Sequence, residues 1–129
     1  MADWDDVRRI AMSLPETNER PAWGHAFWRV KDKGFVWERP LRRGDLEALG
    51  SGAPRGAILG VRVEHLVAKE ALLSAAPDVA FTTPHFNGYP AVLVQLDRID
   101  VERLQELIEE AWLARAPAKL AKSYIASRG

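Results

Sequence analysis

Two groups of side chains in this sequence could do chemistry, and the first is a cluster of basic residues. Between positions 29 and 43 the chain carries six basic side chains against two acidic ones. Such a cluster could contact nucleic-acid phosphates, with a neighbouring tryptophan stacked on a base of a single strand. A solvated hairpin over core tryptophans is the alternative. The residues of this predicted nucleic-acid surface are Arg29, Lys31, Lys33, Arg39, Arg42 and Arg43, joined by Lys119 and Lys122 from a basic tail.

The second group consists of aromatic and histidine side chains beside turns. His25 and His85 could line one pocket as acid–base groups or as a metal pair, because imidazole titrates near neutral pH and ligates metals. No His-x-x-x-His motif accompanies them, so hydrogen-bonded structural histidines remain the alternative. The residues of this predicted ligand pocket are Trp23, His25, Trp37, His85, Phe86 and Tyr89.

Sequence motifs of catalysis are absent from the chain. It has no cysteine, which excludes a disulfide scaffold, a thiolate metal site and a cysteine nucleophile. No serine lies in a Gly-x-Ser-x-Gly setting, and the Gly-rich stretch at 50–56 has neither P-loop nor Rossmann spacing. We therefore expect a protein that is not an enzyme and that has no metal or cofactor.

The composition is that of a single folded domain without net charge. The chain has 129 residues, 47% apolar and 28% charged, so we expect one domain over residues 1–129. Its 18 basic and 18 acidic residues balance, so binding to DNA would be local, weak and salt-dependent. No apolar run reaches membrane-spanning length, and the acidic start precedes no hydrophobic segment, so we expect a cytoplasmic protein without a membrane partner.

Hydrophobic periodicity predicts the elements that must position both groups. The predicted strands cover 26–30, 35–38, 57–63, 79–83 and 91–96. The predicted helices cover 4–14, 65–76, 101–116 and 118–125. Short loops within 26–38 and 79–96 indicate two antiparallel hairpins. We therefore predict an α+β fold, with one antiparallel sheet of about five strands and the terminal helices packed on one face.

Two connections have features of their own. In the loop between the last two strands, Asn87 and Gly88 are typical of a tight turn and are expected to supply its pair of positive φ angles. The segment 39–56 is rich in Gly and Pro and long for a compact domain, which is typical of a functional or mobile loop. One helical turn is predicted within it, at 44–50.

The sequence resembles the MmcQ/YjbR-like family over nearly its whole length. The matching stretches are Leu-Pro-Glu at 14–16, Trp-Gly-His at 23–25, Phe-Val-Trp at 35–37, Lys-Glu at 69–70, Thr-Pro-His-Phe-Asn-Gly-Tyr-Pro at 83–90, the run 108–112 and Arg-Ala-Pro at 115–117. The long segment 39–56 departs from the family pattern. The resemblance implies a CyaY-like (frataxin-like) α-β-α sandwich with an antiparallel sheet.

The resemblance also implies a function. The family is described as DNA-binding because its fold is similar to a double-wing phage transcription-factor domain, which is a fold-level analogy. The likeness to CyaY would imply iron on an acidic first helix, but Arg8 and Arg9 interrupt the acids of that helix here. We therefore expect DNA binding through the basic hairpin and tail. The alternative is a protein-interaction or small-ligand-binding domain that uses the sheet face and the His85 loop.

Overall fold

One antiparallel sheet and five helices make up residues 1–128, which the computed structural model describes. The strands are β1 Thr17–Glu19, β2 Phe27–Val30, β3 Lys33–Glu38, β4 Ile58–Arg62, β5 Ala80–Phe81 and β6 Ala91–Gln95. The helices are α1 Trp4–Met12, α2 Arg43–Leu49, α3 Leu66–Ala75, α4 Val101–Arg115 and α5 Ala118–Arg128. None of these helices is long and apolar enough to cross a membrane.

The strands stand in the order β1-β2-β3-β4-β6-β5, and every neighbouring pair is antiparallel. The predicted α+β class with one antiparallel sheet is confirmed. The sheet has six strands, one more than the five predicted. The additional strand is β1, which lies where the sequence indicated only a polar link. This strand has no apolar alternation, and its pairing of Thr17 with Val30 depends on the backbone. Glu19 adds a side-chain contact by accepting a hydrogen bond of 3.0 Å from the indole of Trp28.

Helices α1 and α4 cover one face of the sheet, as the amphipathic patterns predicted. Asp3 begins α1 by accepting a hydrogen bond from the Asp6 amide, while the Asp6 side chain accepts one from the Asp3 amide. The indole of Trp112 on α4 donates to the Pro15 carbonyl at 3.1 Å, which ties α4 to the turn that follows α1. The sheet residues beneath them are fully buried and include Trp28, Val30, Phe35, Val36, Leu59, Val61, Val92 and Val94.

The turn between β2 and β3 is shorter than the loop of residues 31–34 that the predicted strands leave between them. Lys31 and Asp32 both adopt left-handed conformations, with φ of 48° and 67°, which fits a two-residue hairpin turn. The predicted start of the second strand at residue 35 is too late, because β3 begins at Lys33. Gly34 lies within β3, opposite Arg29 and beneath the ring of Phe27.

The loop between β5 and β6 begins with a 3-10 helix at Pro84–Phe86 and then reverses in a type II turn. Gly88 has a φ of 74°, which confirms its predicted positive value. The expectation for Asn87 is wrong, because its φ is −59° and its ψ is 130°. The Tyr89 amide closes the turn by donating to the Phe86 carbonyl at 3.0 Å.

Candidate functional site

The second face of the sheet carries an open cleft of about 600 Å³. The part of this face over β4 to β6 is covered by Phe86 and Leu41, which pack on Ile58 and Leu93. The part over β2 and β3 is not covered by any of the five helices of residues 1–128 and forms the floor of the cleft. A cleft of this volume with an apolar floor is typical of small-molecule sites.

Two aromatic rings form that floor, because two glycines leave room for them. Phe27 and Trp37 are cross-strand partners whose ring centroids lie 5.5 Å apart, with 11° between their planes. A Cβ atom at Gly34 would lie 2.0 Å from the Phe27 ring, and one at Gly60 would lie 2.3 Å from the Trp37 ring. The rings therefore lie directly over bare backbone, and any larger residue at these positions would move them.

One wall of the cleft is the loop before β6. Phe86 is buried, and the His85 ring meets its edge with centroids 4.9 Å apart. Tyr89 follows the turn and stays 43% exposed, with its ring centroid 6.3 Å from that of Phe86. The loop thus presents the imidazole of His85, the phenyl ring of Phe86 and the phenol of Tyr89 to the cleft.

Lys69 of α3 holds this loop in place from behind. Its side chain is 4% exposed, and its ammonium donates to the carbonyls of Phe86 at 2.6 Å and Tyr89 at 2.9 Å. Burial lowers the pKa of Lys69 below its usual value. A buried cation satisfied by two carbonyls fixes their positions, since moving either one would leave a donor unpaired.

The opposite wall is a small turn that ends at His25. Trp23 and Gly24 are both left-handed, with φ of 51° and 79°, and Ala22 and His25 exchange backbone hydrogen bonds across them. This conformation leaves Trp23 86% exposed at the rim. His25 Nδ1 lies 3.4 Å from Glu38 Oε1, which orients the imidazole at the end of the floor.

A buried ion pair borders the cleft, where the Arg39 guanidinium lies 5.2 Å from the centre of the Phe86 ring. Arg39 and Asp45 are 5% and 4% exposed, and their side chains meet at 3.0 Å. Burial raises the pKa of Asp45, but the Arg42 amide and the Arg39 guanidinium more than offset this, so the net pKa lies below its usual value. The pair anchors α2, which lies slightly earlier than the helical turn expected at 44–50.

All six residues of the predicted ligand pocket line this one cleft, which brings His25 and His85 into the same site. The eight residues of the predicted nucleic-acid surface are not brought together. Arg39 is buried, and Arg42 borders the cleft, whereas Lys119 and Lys122 lie on α5. That helix packs through Tyr124 on Trp112, on the other side of the sheet.

The remaining basic residues are partly engaged with neighbours. Lys31 pairs with Glu16, and Arg43 pairs with Glu47 at 3.2 Å. Arg29 donates to the Arg20 carbonyl and lies over the Phe27 ring at 4.4 Å. Lys33 is exposed at the start of β3. Within residues 1–128, no three His, Asp or Glu side chains are grouped as a metal site requires.

The family model for YjbR matches residues 12–114, which is most of the chain. The chain belongs to the YjbR family. The match contains the whole aromatic floor and the Lys69-anchored loop, and it ends one residue before Arg115. The YjbR-like resemblance drawn from the short motifs is therefore confirmed.

Full-length relatives of this YjbR-family chain occur in mycobacteria. It is 52% identical over 132 residues to uncharacterized proteins of Mycobacterium tuberculosis and Mycobacterium bovis, with all of both chains covered. Its fold is similar to a crystal structure of a Deinococcus radiodurans protein with a DUF419 domain. The TM-score is 0.63 at 22% identity, over 88% of this chain and 78% of that one. At this identity the structural likeness establishes the YjbR fold alone.

Sequence reasoning missed several residues that build the site in this YjbR-family chain. Lys69 belongs to the family stretch at 69–70, but nothing in that stretch indicates that its ammonium is buried and bound to a loop. Gly60 could have been noticed, because a glycine inside an apolar strand often marks the close approach of another group. Arg62 and Arg115 are isolated in sequence and lie near each other only in the fold.

Proposed function

We propose that the protein is a non-enzymatic binding module for a small planar organic molecule, which stacks on the floor of the aromatic cleft. The observation that carries the proposal is the Phe27–Trp37 pair, laid over Gly34 and Gly60 at the base of a cleft of about 600 Å³. Glycines that make room for aromatic rings on a sheet create a flat apolar surface, and flat apolar surfaces favour planar ligands.

The walls of the cleft support the same function. Trp23 and Tyr89 are both exposed at its rim, where their rings can contact a ligand from the sides. His25, His85 and Arg42 add polar groups that can orient the ligand. A few polar groups around an apolar floor are the usual composition of a small-molecule site.

The proposal predicts that the protein prefers a planar ring to a saturated ring of the same size. We expect 2-naphthoate to bind the cleft more tightly than decahydro-2-naphthoate in an NMR titration. Trp37→Leu should weaken binding of 2-naphthoate by about 0.5–1.5 kcal/mol, roughly two- to twelvefold, because a ring–ring contact is lost. The saturated ligand should lose much less.

The matched control is Tyr124→Leu, which removes a half-buried aromatic ring on the other side of the sheet. This variant should bind both ligands like the wild type. Equal affinities for the planar and the saturated ligand, or an unchanged affinity in Trp37→Leu, would contradict the proposal.

DNA binding remains the second candidate, favoured by the exposure of Arg42 and Arg43 side by side at the start of α2. If both contact phosphates of a duplex, replacing them together by alanine should flatten the log–log salt dependence of affinity by nearly two units, at about 0.9 per contact. Fluorescence anisotropy with a labelled duplex at several salt concentrations measures this slope. The idea fails if the wild type does not bind at low salt or if the slope is unchanged.

A further inference from the structure

Two arginines that form no salt bridge within residues 1–128 lie near Tyr89, where Arg115 lines the cleft and Arg62 contacts the Tyr89 hydroxyl. Arg62 ends β4 and Arg115 ends α4, and both are half-buried. The Nε atoms of both are buried and have no acceptor within residues 1–128. No carboxylate in that part of the chain lies within 4.0 Å of either guanidinium. Buried donors are nearly always paired, so these two need an explanation.

The chain shows the usual arrangement elsewhere, since the buried Arg39 is paired with Asp45. Arg62 and Arg115 instead lie near each other, and within residues 1–128 neither has a carboxylate at ion-pair distance. Burial, together with the positive charge of Arg62, lowers the pKa of Arg115. Two like charges held near each other at a half-buried site repel each other, and an anion between or beside them removes this repulsion.

Tyr89 connects this pair to the cleft. Arg62 Nη1 donates to the Tyr89 hydroxyl at 2.9 Å, and the guanidinium lies 4.8 Å from the centre of the Tyr89 ring. Both Tyr89 and Arg115 line the cleft that holds the aromatic floor. Arg62 does not line the cleft itself; it lines a neighbouring depression together with Glu64 and Glu110, whose carboxylates lie beyond ion-pair distance, and reaches the cleft through Tyr89.

We propose that Arg62 and Arg115 bind the anionic group, a carboxylate or a phosphate, of the ligand that occupies the aromatic cleft. The inference rests on the proposed function and names the ligand class as a planar ring that carries an anion. Guanidinium groups match the paired oxygens of carboxylates and phosphates, and such contacts are strongest where water is excluded. The stacking of Arg62 on Tyr89 fixes its orientation before the ligand arrives.

The test compares ligands that share one ring and differ in charge. We expect the wild type to bind 2-naphthoate or 2-naphthyl phosphate at least about tenfold more tightly than 2-naphthamide, because charge-assisted hydrogen bonds are lost in the amide. Arg115→Gln should remove this preference and leave the affinity for 2-naphthamide nearly unchanged. Arg62→Gln should act in the same direction. Arg55→Gln, at an exposed arginine outside the cleft, should match the wild type.

The outcomes separate this inference from the proposed function. If Arg115→Gln binds 2-naphthoate and 2-naphthyl phosphate like the wild type, the anion site is overturned while the cleft remains a ligand site. If the wild type binds no naphthalene compound, the proposed function fails. Inorganic phosphate then tests the arginine pair alone, by the NMR shift of the Arg115 Nε–H signal. A saturable shift supports the anion site, and no shift overturns it.

Discussion

Replacing Arg39 by alanine is expected to lower the free energy of unfolding by about 3–5 kcal/mol. Removal of the guanidinium leaves the carboxylate of Asp45 charged and 4% exposed, without its partner. A buried charge that loses its partner costs far more than an exposed one, which water can solvate. Urea unfolding followed by tryptophan fluorescence measures the loss.

The exposed pair in the same segment is the matched control. Arg43 and Glu47 form an ion pair with an N–O distance of 3.2 Å, close to the 3.0 Å of the buried pair, but their side chains are 93% and 69% exposed. Arg43→Ala should therefore change the free energy of unfolding by less than about 0.5 kcal/mol. The double variant Arg39→Met, Asp45→Leu should recover much of the loss, because it removes both charges. Equal losses in Arg39→Ala and Arg43→Ala would show that the burial of the pair has no energetic role.

The same ion pair predicts an acid limit to stability. The pKa of Asp45 in the folded state lies below the ordinary value of 3.8. The stabilising contribution of this carboxylate is therefore present above that value and lost as the pH falls through the folded pKa. The difference in stability between the wild type and Asp45→Asn should shrink as the pH falls below about 4.

The substitution Lys69→Met is expected to have the second largest effect. It removes two hydrogen bonds donated by a buried ammonium, each worth about 1.5–3 kcal/mol, and leaves the carbonyls of Phe86 and Tyr89 with only their backbone donors, the amides of Tyr89 and Ala91. Relief of the buried charge offsets part of this, so we expect a loss of about 2–3 kcal/mol in the free energy of unfolding. Amide hydrogen exchange should accelerate most in the loop that contains Gly88.

Lys122→Met on α5 is the control for that substitution. It makes the same chemical change at an exposed helical lysine, and its effect should stay within about 0.5 kcal/mol. If Lys69→Met unfolds at the same urea concentration as Lys122→Met, the loop does not depend on the buried ammonium. Because Phe86 and Tyr89 wall the cleft, Lys69→Met should also weaken 2-naphthoate binding.

The regular elements were predictable because each has a strong local pattern. Helix α4 has an apolar stripe, strand β4 has an apolar face, and both are where periodicity placed them. Strand β1 was not predictable, since its pairing depends on backbone hydrogen bonds that polar residues make equally well. The pattern around Gly34 favoured a turn because a glycine beside two charged residues usually marks one.

The residues of the cleft were predictable only in part, because several of them depend on contacts between segments that are distant in sequence. Aromatic and histidine residues near turns indicated six of the cleft residues, because such side chains can provide both apolar surface and hydrogen-bonding groups for a ligand. The basic cluster was misleading for Arg39, whose partner Asp45 lies six positions on, in α2. Lys69, Arg62 and Arg115 gain their roles from contacts across the fold, and single-residue patterns do not report such contacts.

The hydrogen bond between Trp112 and Pro15 has a consequence for how the chain folds during synthesis. It joins residues 97 positions apart, whereas most neighbouring strands of the sheet are also neighbours in sequence. The hairpins can form as soon as they leave the ribosome, because their loops are short to close. The apolar stripe of α1, made first, stays uncovered until α4 has been translated. We therefore expect the apolar face of α1 to be covered late, only once α4 has left the ribosome.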